Sequence, residues 1–371
     1  MFFSAFVKKI YINHEIYIKR CLQIAKNAIG IARPNPSVGA VIVHQNKIIG
    51  EGFTSIHGQN HAEVNAVNSV KNKILLKEAT IYVTLEPCAH YGKTPPCADL
   101  LVKYQFKKVV IGCIDSNALV AGKGIERLRN AGINVIVGVL EAECKAHHKR
   151  FFTVQEKKRP YIILKWAETK DGFVAPLIRN KKAPVWISNN CSQQMVHKFR
   201  SEEHAILVGT NTVIEDNPSL NVRSWSGNNP TRVVLDKSLR IPKEAAVFDR
   251  SVKTIIITDA TSLRQKEKFL KSNNSGQLER SGELIFETIN FTKNIAGQIC
   301  DVLQKHQIQS VLIEGGTQTL QTFIDANLWD EARVFVGETS FKNGIKAPIF
   351  SVIITSEIKI KNDVLKTYKN D

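Results

Sequence analysis

His61 and Glu63 stand either side of a single alanine at the head of an apolar-periodic stretch, and two proline-cysteine pairs follow downstream, Pro87-Cys88 and Pro96-Cys97. One imidazole and two thiolates are ligands that suit zinc. Three protein ligands leave a fourth tetrahedral position for water, as in catalytic rather than structural sites. Cys97 is expected at a helix start, where unpaired backbone N–H groups favour a thiolate. Glu63, two residues from His61, need not bind the metal; it can lie beside the water, take its proton and return it to a departing amine. Taken singly, His61, Cys88 and Cys97 are more often core residues. The joint pattern with Pro87 and Glu63 points to a metal. His57, His90, His147 and His148 lack that pattern and read as surface or structural.

A chain of 371 residues exceeds the size at which one core usually keeps growing, so two domains are expected. Ile18, Cys21, Leu22, Ala25, Ala28 and Ile29 recur at helical spacing and predict a first helix, closed by Gly30. Arg33 to Pro36 break the pattern. Val38–Val43 and Lys47–Gly52 then read as a hairpin, followed by a helix from His61 to about Val70, a strand Thr80–Leu85 and a helix from Cys97. Strand Val109–Cys113, helix Gly124–Ala131 and strand Asn134–Val139 alternate as parallel β/α units do, which predicts a mixed sheet sandwiched by helices. Glu141 to Val154 reads as one helix. The charged, proline-ended run Glu156 to Pro160 marks the boundary between domains 1–155 and 156–371.

Beyond it, Tyr161–Ala167, His204–Gly209, Thr231–Asp236, Thr254–Thr258, Leu284–Glu287, Ser310–Glu314 and Ala332–Val336 read as strands of a second α/β domain. Val208 to Thr212 and Glu314 to Thr317 form small-residue turns after two of these strands, where backbone N–H groups could approach a phosphate.

Fifty-one Lys and Arg against 34 Asp and Glu leave a net charge of +17, which favours nucleic acid, anionic membranes or phosphorylated small molecules. Much of it is scattered, as at Lys71 to Lys73 and Lys266 to Lys271, and reads as solvated faces. Seven isolated cysteines suggest a reducing compartment. Met1 to Ile12 has Lys8 and Lys9 after its apolar run and reads as an N-terminal extension rather than a secretion signal. No segment approaches the roughly 20 apolar residues of a membrane span. A cytoplasmic enzyme with a small-molecule substrate is expected. A tRNA or nucleoside deaminase with a basic RNA-binding C-terminal domain is the alternative, and a basic RNA-binding protein with a structural zinc a more remote one.

The His-x-Glu and Pro-Cys elements resemble the cytidine-deaminase-like zinc enzymes. Their cysteines are usually separated by two residues, whereas here Ala89 to Pro96 intervene. That longer loop, with Arg33 to Val43 and Asn117 to Gly124, is similar to the bifunctional riboflavin biosynthesis proteins, in which a diaminohydroxyphosphoribosylaminopyrimidine deaminase is joined to a 5-amino-6-(5-phosphoribosylamino)uracil reductase. The resemblance covers nearly the whole chain. It implies a three-layer α/β/α cytidine-deaminase-like sandwich followed by a dihydrofolate-reductase-like α/β domain. It also implies zinc at His61, Cys88 and Cys97, Glu63 as the catalytic acid/base, NADPH as second cofactor, and a homo-oligomer that binds no nucleic acid. Asn35 and Lys93 would hold the substrate base and its ribose phosphate.

In the second half the matching stretches are Lys165 to Gly172, Trp186 to Ser188, His204 to Arg223, Pro230 to Asp236 and Ile313 to Leu320. By position they imply cofactor contacts at Ala167, Trp186, Thr212, Asp216 and the turn Gly316, Thr317, Gln318, Thr319, Leu320, Gln321, Thr322. Substrate contacts would fall at Pro184, Arg200, Leu220, Arg223 and Glu314, with Lys165 and Asp171 as candidate helpers. The chain departs from the family at Thr169 and Lys170, at Lys182 to Pro184 before Trp186, and at Gly337 and Glu338.

Overall fold

The computed structural model describes residues 13–116, 120–179, 183–265 and 282–370. Met1 to Ile12, Asn117, Lys182 and the lysine run Lys266 to Lys271 lie outside the described residues. The chain divides into two compact units, Met1–Glu156 and Lys157–Asp371.

In the first unit the elements run α1 (His14–Ala25), β1 (Gly39–His44), β2 (Lys47–Phe53), α2 (Ala62–Ser69), β3 (Thr80–Leu85), α3 (Cys97–Lys103), β4 (Lys108–Cys113), α4 (Lys123–Asn130), β5 (Asn134–Val137), α5 (Glu141–His147) and α6 (Lys149–Lys157). The sheet order is β2-β1-β3-β4-β5. β1 pairs antiparallel with β2 and β3, and β3, β4 and β5 are parallel. β1, β3 and β4 are buried along almost their whole length, which explains their continuous rather than alternating apolar runs. A Cβ on Gly50 or Gly52 of β2 would strike the backbone of Ala66 in α2, so these glycines let the helix that follows His61 lie directly on the sheet. The single helix expected over Glu141 to Val154 is two helices. His148 leaves helical geometry (φ −87°, ψ 11°), and its ring is held 3.1 Å from Thr84 Oγ1, a tertiary contact that periodicity does not register.

The second unit contains β6 (Tyr161–Glu168), β7 (Phe173–Ala175), α7 (Asn190–Glu202), β8 (Ala205–Gly209), α8 (Thr210–Asp216), β9 (Thr231–Leu235), β10 (Thr254–Thr258), α9 (Ala260–Gln265) and β11 (Leu284–Thr288). After these come α10 (Ile295–Lys305), β12 (Ser310–Ile313), α11 (Thr317–Asp325), β13 (Glu331–Val336), β14 (Ile345–Lys346), β15 (Ile354–Ile360) and β16 (Asp363–Lys369). The large sheet has the order β11-β10-β9-β8-β12-β6-β13-β16-β15. Its members are parallel from β11 to β13, and β16 and β15 are antiparallel at the edge. The chain steps outward through β8, β9, β10 and β11, then returns to place β12 between β8 and β6. That reversal opens a crevice at the carboxyl ends of β8 and β12. Strands β7, β14, β15 and β16 are absent from the sequence reading. β15 is exposed almost throughout, and an edge strand with Lys and Glu carries little apolar periodicity.

Candidate active sites

In the first unit β3 ends at Leu85, which delivers Glu86, Pro87 and Cys88, while His61 and Cys97 sit at the starts of α2 and α3. His61 Nδ1 lies 3.6 Å from Cys88 Sγ and 3.4 Å from Cys97 Sγ. Zinc bonded tetrahedrally at about 2.3 Å to sulfur and about 2.0 Å to nitrogen holds such atoms about 3.5 Å apart, so the three side chains fit the ion as they stand. All three ligand atoms lie within 4.8 Å of one another, and they form the His/Cys/Asp/Glu metal cluster found among the described residues. Hydrogen bonds from the Cys97 side chain and from His61 hold the Cys88 thiol well below its ordinary range, while the bond to Cys88 and burial push the Cys97 thiol up, against the expectation that the start of α3 alone would favour a Cys97 thiolate.

Glu63 is 4% exposed, in the first turn of α2. Burial, with the nearby Cys88 sulfur, pushes its carboxyl up to about 6, and it hydrogen-bonds to the Cys97 side chain. A carboxyl poised near neutrality beside a metal site can both take and return a proton. Asn35 lies half-buried in the turn before β1, and Lys93 is exposed in the loop between the two cysteines.

Glu86, which the motif spacing does not single out, organises this site. Its Oε2 accepts from the N–H groups of Asp115 (3.3 Å) and Gly122 (3.0 Å), and its Oε1 from those of Gly124 (3.0 Å) and Ile125 (3.2 Å). One buried carboxylate thereby fastens the start of α4 to the end of β3. A glutamate after an apolar strand is a faint signal, because its partners are backbone groups remote in sequence.

The second unit carries a cleft of about 650 Å³ at the β8–β12 crevice. Ala167, Pro184, Trp186, Thr212, Asp216, Arg200, Leu220, Arg223, Glu314 and Lys165 all line it. The cleft does not reach Gly316 to Thr322, on the first turns of α11. Leu320 packs in the core, Thr317 Oγ1 donates to the Lys346 carbonyl oxygen (2.7 Å), and Gln321 Oε1 accepts from the Ile349 N–H (2.9 Å). Gly209 and Gly315 press together: a Cβ on Gly209 would stand 2.7 Å from Thr319 Oγ1, and one on Gly315 3.1 Å from the Gly209 nitrogen. No side chain caps α11, whose N-cap is Gly316, so the turn suits a phosphate.

Charge is concentrated on the floor of this cleft. Arg200 grips Glu314 through Nε (3.0 Å) and Nη2 (2.8 Å), and Lys165 Nζ stands 3.5 Å away. Burial alone would raise the Glu314 carboxyl, but Arg200 and Lys165 override it and hold it down at about 2. Burial, with Arg200 and Arg223 alongside, pushes the His197 imidazole down to about 4. Asp216 is paired with Arg179. Asp171 lies apart from the cleft: it accepts from Thr169 Oγ1 (2.5 Å) and from the Lys342 N–H (2.7 Å), the work of a turn residue before Gly172. His197 and Arg179 escaped the sequence reading, although Gln193, His197 and Arg200 share one face of α7 at helical spacing.

Residues 12–113 match the family described as the cytidine and deoxycytidylate deaminase zinc-binding region, and residues 160–339 match the RibD C-terminal domain. Fold and site thus define a zinc deaminase joined to a reductase. The chain is 40% identical to the riboflavin biosynthesis protein RibD of Aquifex aeolicus, over 89% of this chain and 88% of that protein. It is 37% identical to that of Actinobacillus pleuropneumoniae, over 86% and 82%. The crystal structure of a diaminohydroxyphosphoribosylaminopyrimidine deaminase/5-amino-6-(5-phosphoribosylamino)uracil reductase from Thermotoga maritima superposes with a TM-score of 0.82 at 34% identity, covering 96% of this chain and 98% of that one. RibD of Acinetobacter baumannii gives 0.83 at 32%, with the same coverage. The chain belongs to the RibD family. It is a bifunctional deaminase and reductase of riboflavin biosynthesis that acts on a small molecule, with zinc and NADPH as its cofactors. The second-unit match does not favour a tRNA deaminase. Among the described residues no helix is long and apolar enough to cross a membrane.

Proposed function

We propose that residues 1–155 carry out the deamination and residues 156–371 the reduction, with each role falling on the side chains already named. The observation that carries this reading is the 3.6 Å and 3.4 Å spacing of two sulfurs about His61 Nδ1, with the buried Glu63 carboxyl bonded to one of the cysteines. Zinc held by His61, Cys88 and Cys97 would lower the pKa of a water enough for it to attack the amidine carbon of the diaminohydroxyphosphoribosylaminopyrimidine. Glu63 takes the proton released and delivers it to the departing amine. Asn35 orients the base, and Lys93 meets the ribose phosphate as a point charge.

In the second unit NADPH, when bound, would supply the hydride that takes the ribosyl chain to ribityl. Ala167, Trp186, Thr212, Asp216 and the Gly316 to Thr322 turn hold the cofactor. Arg200 and Arg223 face the phosphate, with Pro184, Leu220 and Glu314 completing the substrate side; Lys165, which lines the same cleft beside Glu314, is the helper that supplies a proton. The enzyme works in the cytoplasm as a homo-oligomer and binds no nucleic acid; its surplus charge serves anionic small molecules and solvated faces.

The test is to give the purified protein the diaminohydroxypyrimidine ribosyl phosphate and follow ammonia release and NADPH oxidation, with Glu63→Ala as control. Ammonia followed by NADPH loss, both missing in the control, is the expected result. Absence of ammonia from the unaltered protein would overturn the reading.

A further inference from the structure

Between α8 and β9 the chain runs from Asn217 to Pro230 with neither helix nor strand, yet its middle is held against α7. A Cβ on Gly227 would stand 2.7 Å from Ser201 Cβ, and Lys198 Nζ lies 5.8 Å from the centroid of the Trp225 ring. The segment is entered through Leu220, which is buried and has φ +51°. That left-handed conformation is unfavourable for a leucine, so its surroundings impose it.

Two arginines and a histidine, all lining the β8–β12 cleft, hold the residues that follow. Arg200 Nη1 donates to the Asn221 carbonyl oxygen at 3.3 Å, and Arg223 Nη1 to the side-chain oxygen of the same asparagine at 3.2 Å. His197 Nδ1 stands between two backbone groups, 3.1 Å from the Asn221 carbonyl oxygen and 3.4 Å from the Arg223 nitrogen. Carrying a proton, Nδ1 donates to the carbonyl; bare, it accepts from the N–H. A neutral imidazole therefore grips this turn in either tautomer. The ring is 6% exposed, and burial, with Arg200 and Arg223 alongside, keeps it uncharged at neutral pH although Glu314 pulls the other way. A lysine or arginine here would add a third cation, whereas His197 offers a donor or an acceptor without charge. Arg223 is exposed, and among the described residues it pairs with no carboxylate, so its aim is set by the segment that carries it.

We propose that His197 is a positioning residue of the reductase: by gripping Asn221 and Arg223 through Nδ1, it keeps the Arg223 guanidinium turned with that of Arg200 toward the substrate's phosphate. This rests on the reading that both arginines face that phosphate. His197 acts through Arg223 and not by contact with the substrate.

The experiment is steady-state reduction of 5-amino-6-(5-phosphoribosylamino)uracil by the full chain with NADPH, with the dephosphorylated nucleoside as competing inhibitor. His197→Leu is expected to raise KM for the phosphorylated substrate about tenfold, while kcat, KM for NADPH and inhibition by the nucleoside stay within about twofold. His197→Asn, whose amide reaches the place of Nδ1, should recover most of the loss. His197→Gln carries its amide to the place of Nε2 instead; it should behave as His197→Leu does, and serves if the leucine variant does not fold. In an Arg223→Gln background, either loss-of-grip variant should add less than about twofold, because the residue it acts through is gone. An unchanged KM would overturn the assignment. So would a loss that falls equally on the nucleoside, or one that adds in full to Arg223→Gln, either of which would make His197 a structural residue. Arg223→Gln alone with an unaltered KM would instead strike the reading of the phosphate site, and this assignment with it.

Discussion

The backbone N–H of Cys97 points at the sulfur of Cys88 from 3.3 Å, and the next N–H, that of Ala98, donates to the Cys88 carbonyl oxygen at 3.1 Å. The two ligands are thus fixed to each other by the backbone that carries them, at the end of β3 and the start of α3. The segment from Ala89 to Pro96 bridges them without setting their spacing. That is why a gap longer than the usual two residues leaves zinc-binding geometry intact.

Cys88→Ala should therefore do more than remove one thiolate, since it also strips the Cys97 N–H of its acceptor. Zinc affinity is expected to fall more than about a hundredfold. Metal analysis after dialysis should find the first unit empty and ammonia release lost. NADPH binding, which belongs to the other unit, should be retained.

A Cβ on Gly124 would overlap the Pro87 carbonyl oxygen and come within 3.2 Å of Glu86 Oε1, the oxygen that caps the start of α4. Gly124→Ala is expected to cost about 1–3 kcal/mol by overpacking and to weaken zinc binding by displacing Pro87 and Cys88. Gly122→Ala is the control. Gly122 has φ +81° but nothing within 4 Å of a new Cβ, so it should cost about 1 kcal/mol in strain and leave zinc affinity alone. Zinc competition with a chromogenic chelator separates the two.

The zinc centre was legible because its chemistry is written in residue types at fixed offsets: His61, Glu63, Pro87-Cys88 and Pro96-Cys97 sit where the helix and strand ends were expected. The buried strands were legible for a similar reason, as continuous apolar runs bounded by breakers. What escaped is tertiary. Glu86 looks like an ordinary strand-end acid, and only the fold shows it capping distant backbone. Arg159, which the sequence places only within the charged run at the domain boundary, forms a two-pronged pair with Asp330, through Nη1 at 2.5 Å and Nη2 at 2.8 Å. The second cleft is drawn from strand ends, α7 and loops widely separated in sequence, so it needed the resemblance to be located at all.

Glu314 offers the sharpest test of that cleft. Glu314→Gln leaves Arg200 and Lys165 facing each other in an enclosed site without their shared counter-charge. Breaking a buried pair in this way costs about 3–5 kcal/mol. The carboxyl is held down at about 2, so its stabilising contribution is complete above its unfolded value near 4.5 and is lost as pH falls from there toward 2. Urea unfolding followed by tryptophan fluorescence suits the measurement, because Trp166, Trp186, Trp225 and Trp329 all lie in the second unit. Equal stability of variant and parent between pH 6 and 8 would show that the pair contributes nothing.

His148 makes the first unit sensitive to mild acid. Its ring is 2% exposed, Nε2 lies 3.1 Å from Thr84 Oγ1, and the buried Nδ1 has no hydrogen-bond partner among the described residues. Burial, with His147 packed edge-on at a centroid distance of 4.8 Å, drives the imidazole well below its ordinary 6.5. The unfolded chain binds a proton below about 6.5 that the folded chain refuses, so stability is full above that value. It should fall by about 1.4 kcal/mol for each pH unit below it. Hydrogen exchange of β3 and β4 peptides, corrected for intrinsic rates, reads this out where tryptophan cannot. The unaltered protein should lose protection between pH 7.5 and 5.5, and His148→Gln should lose markedly less. Zinc release on acidification affects both proteins alike and cancels in the comparison; identical losses would exclude His148 as the cause.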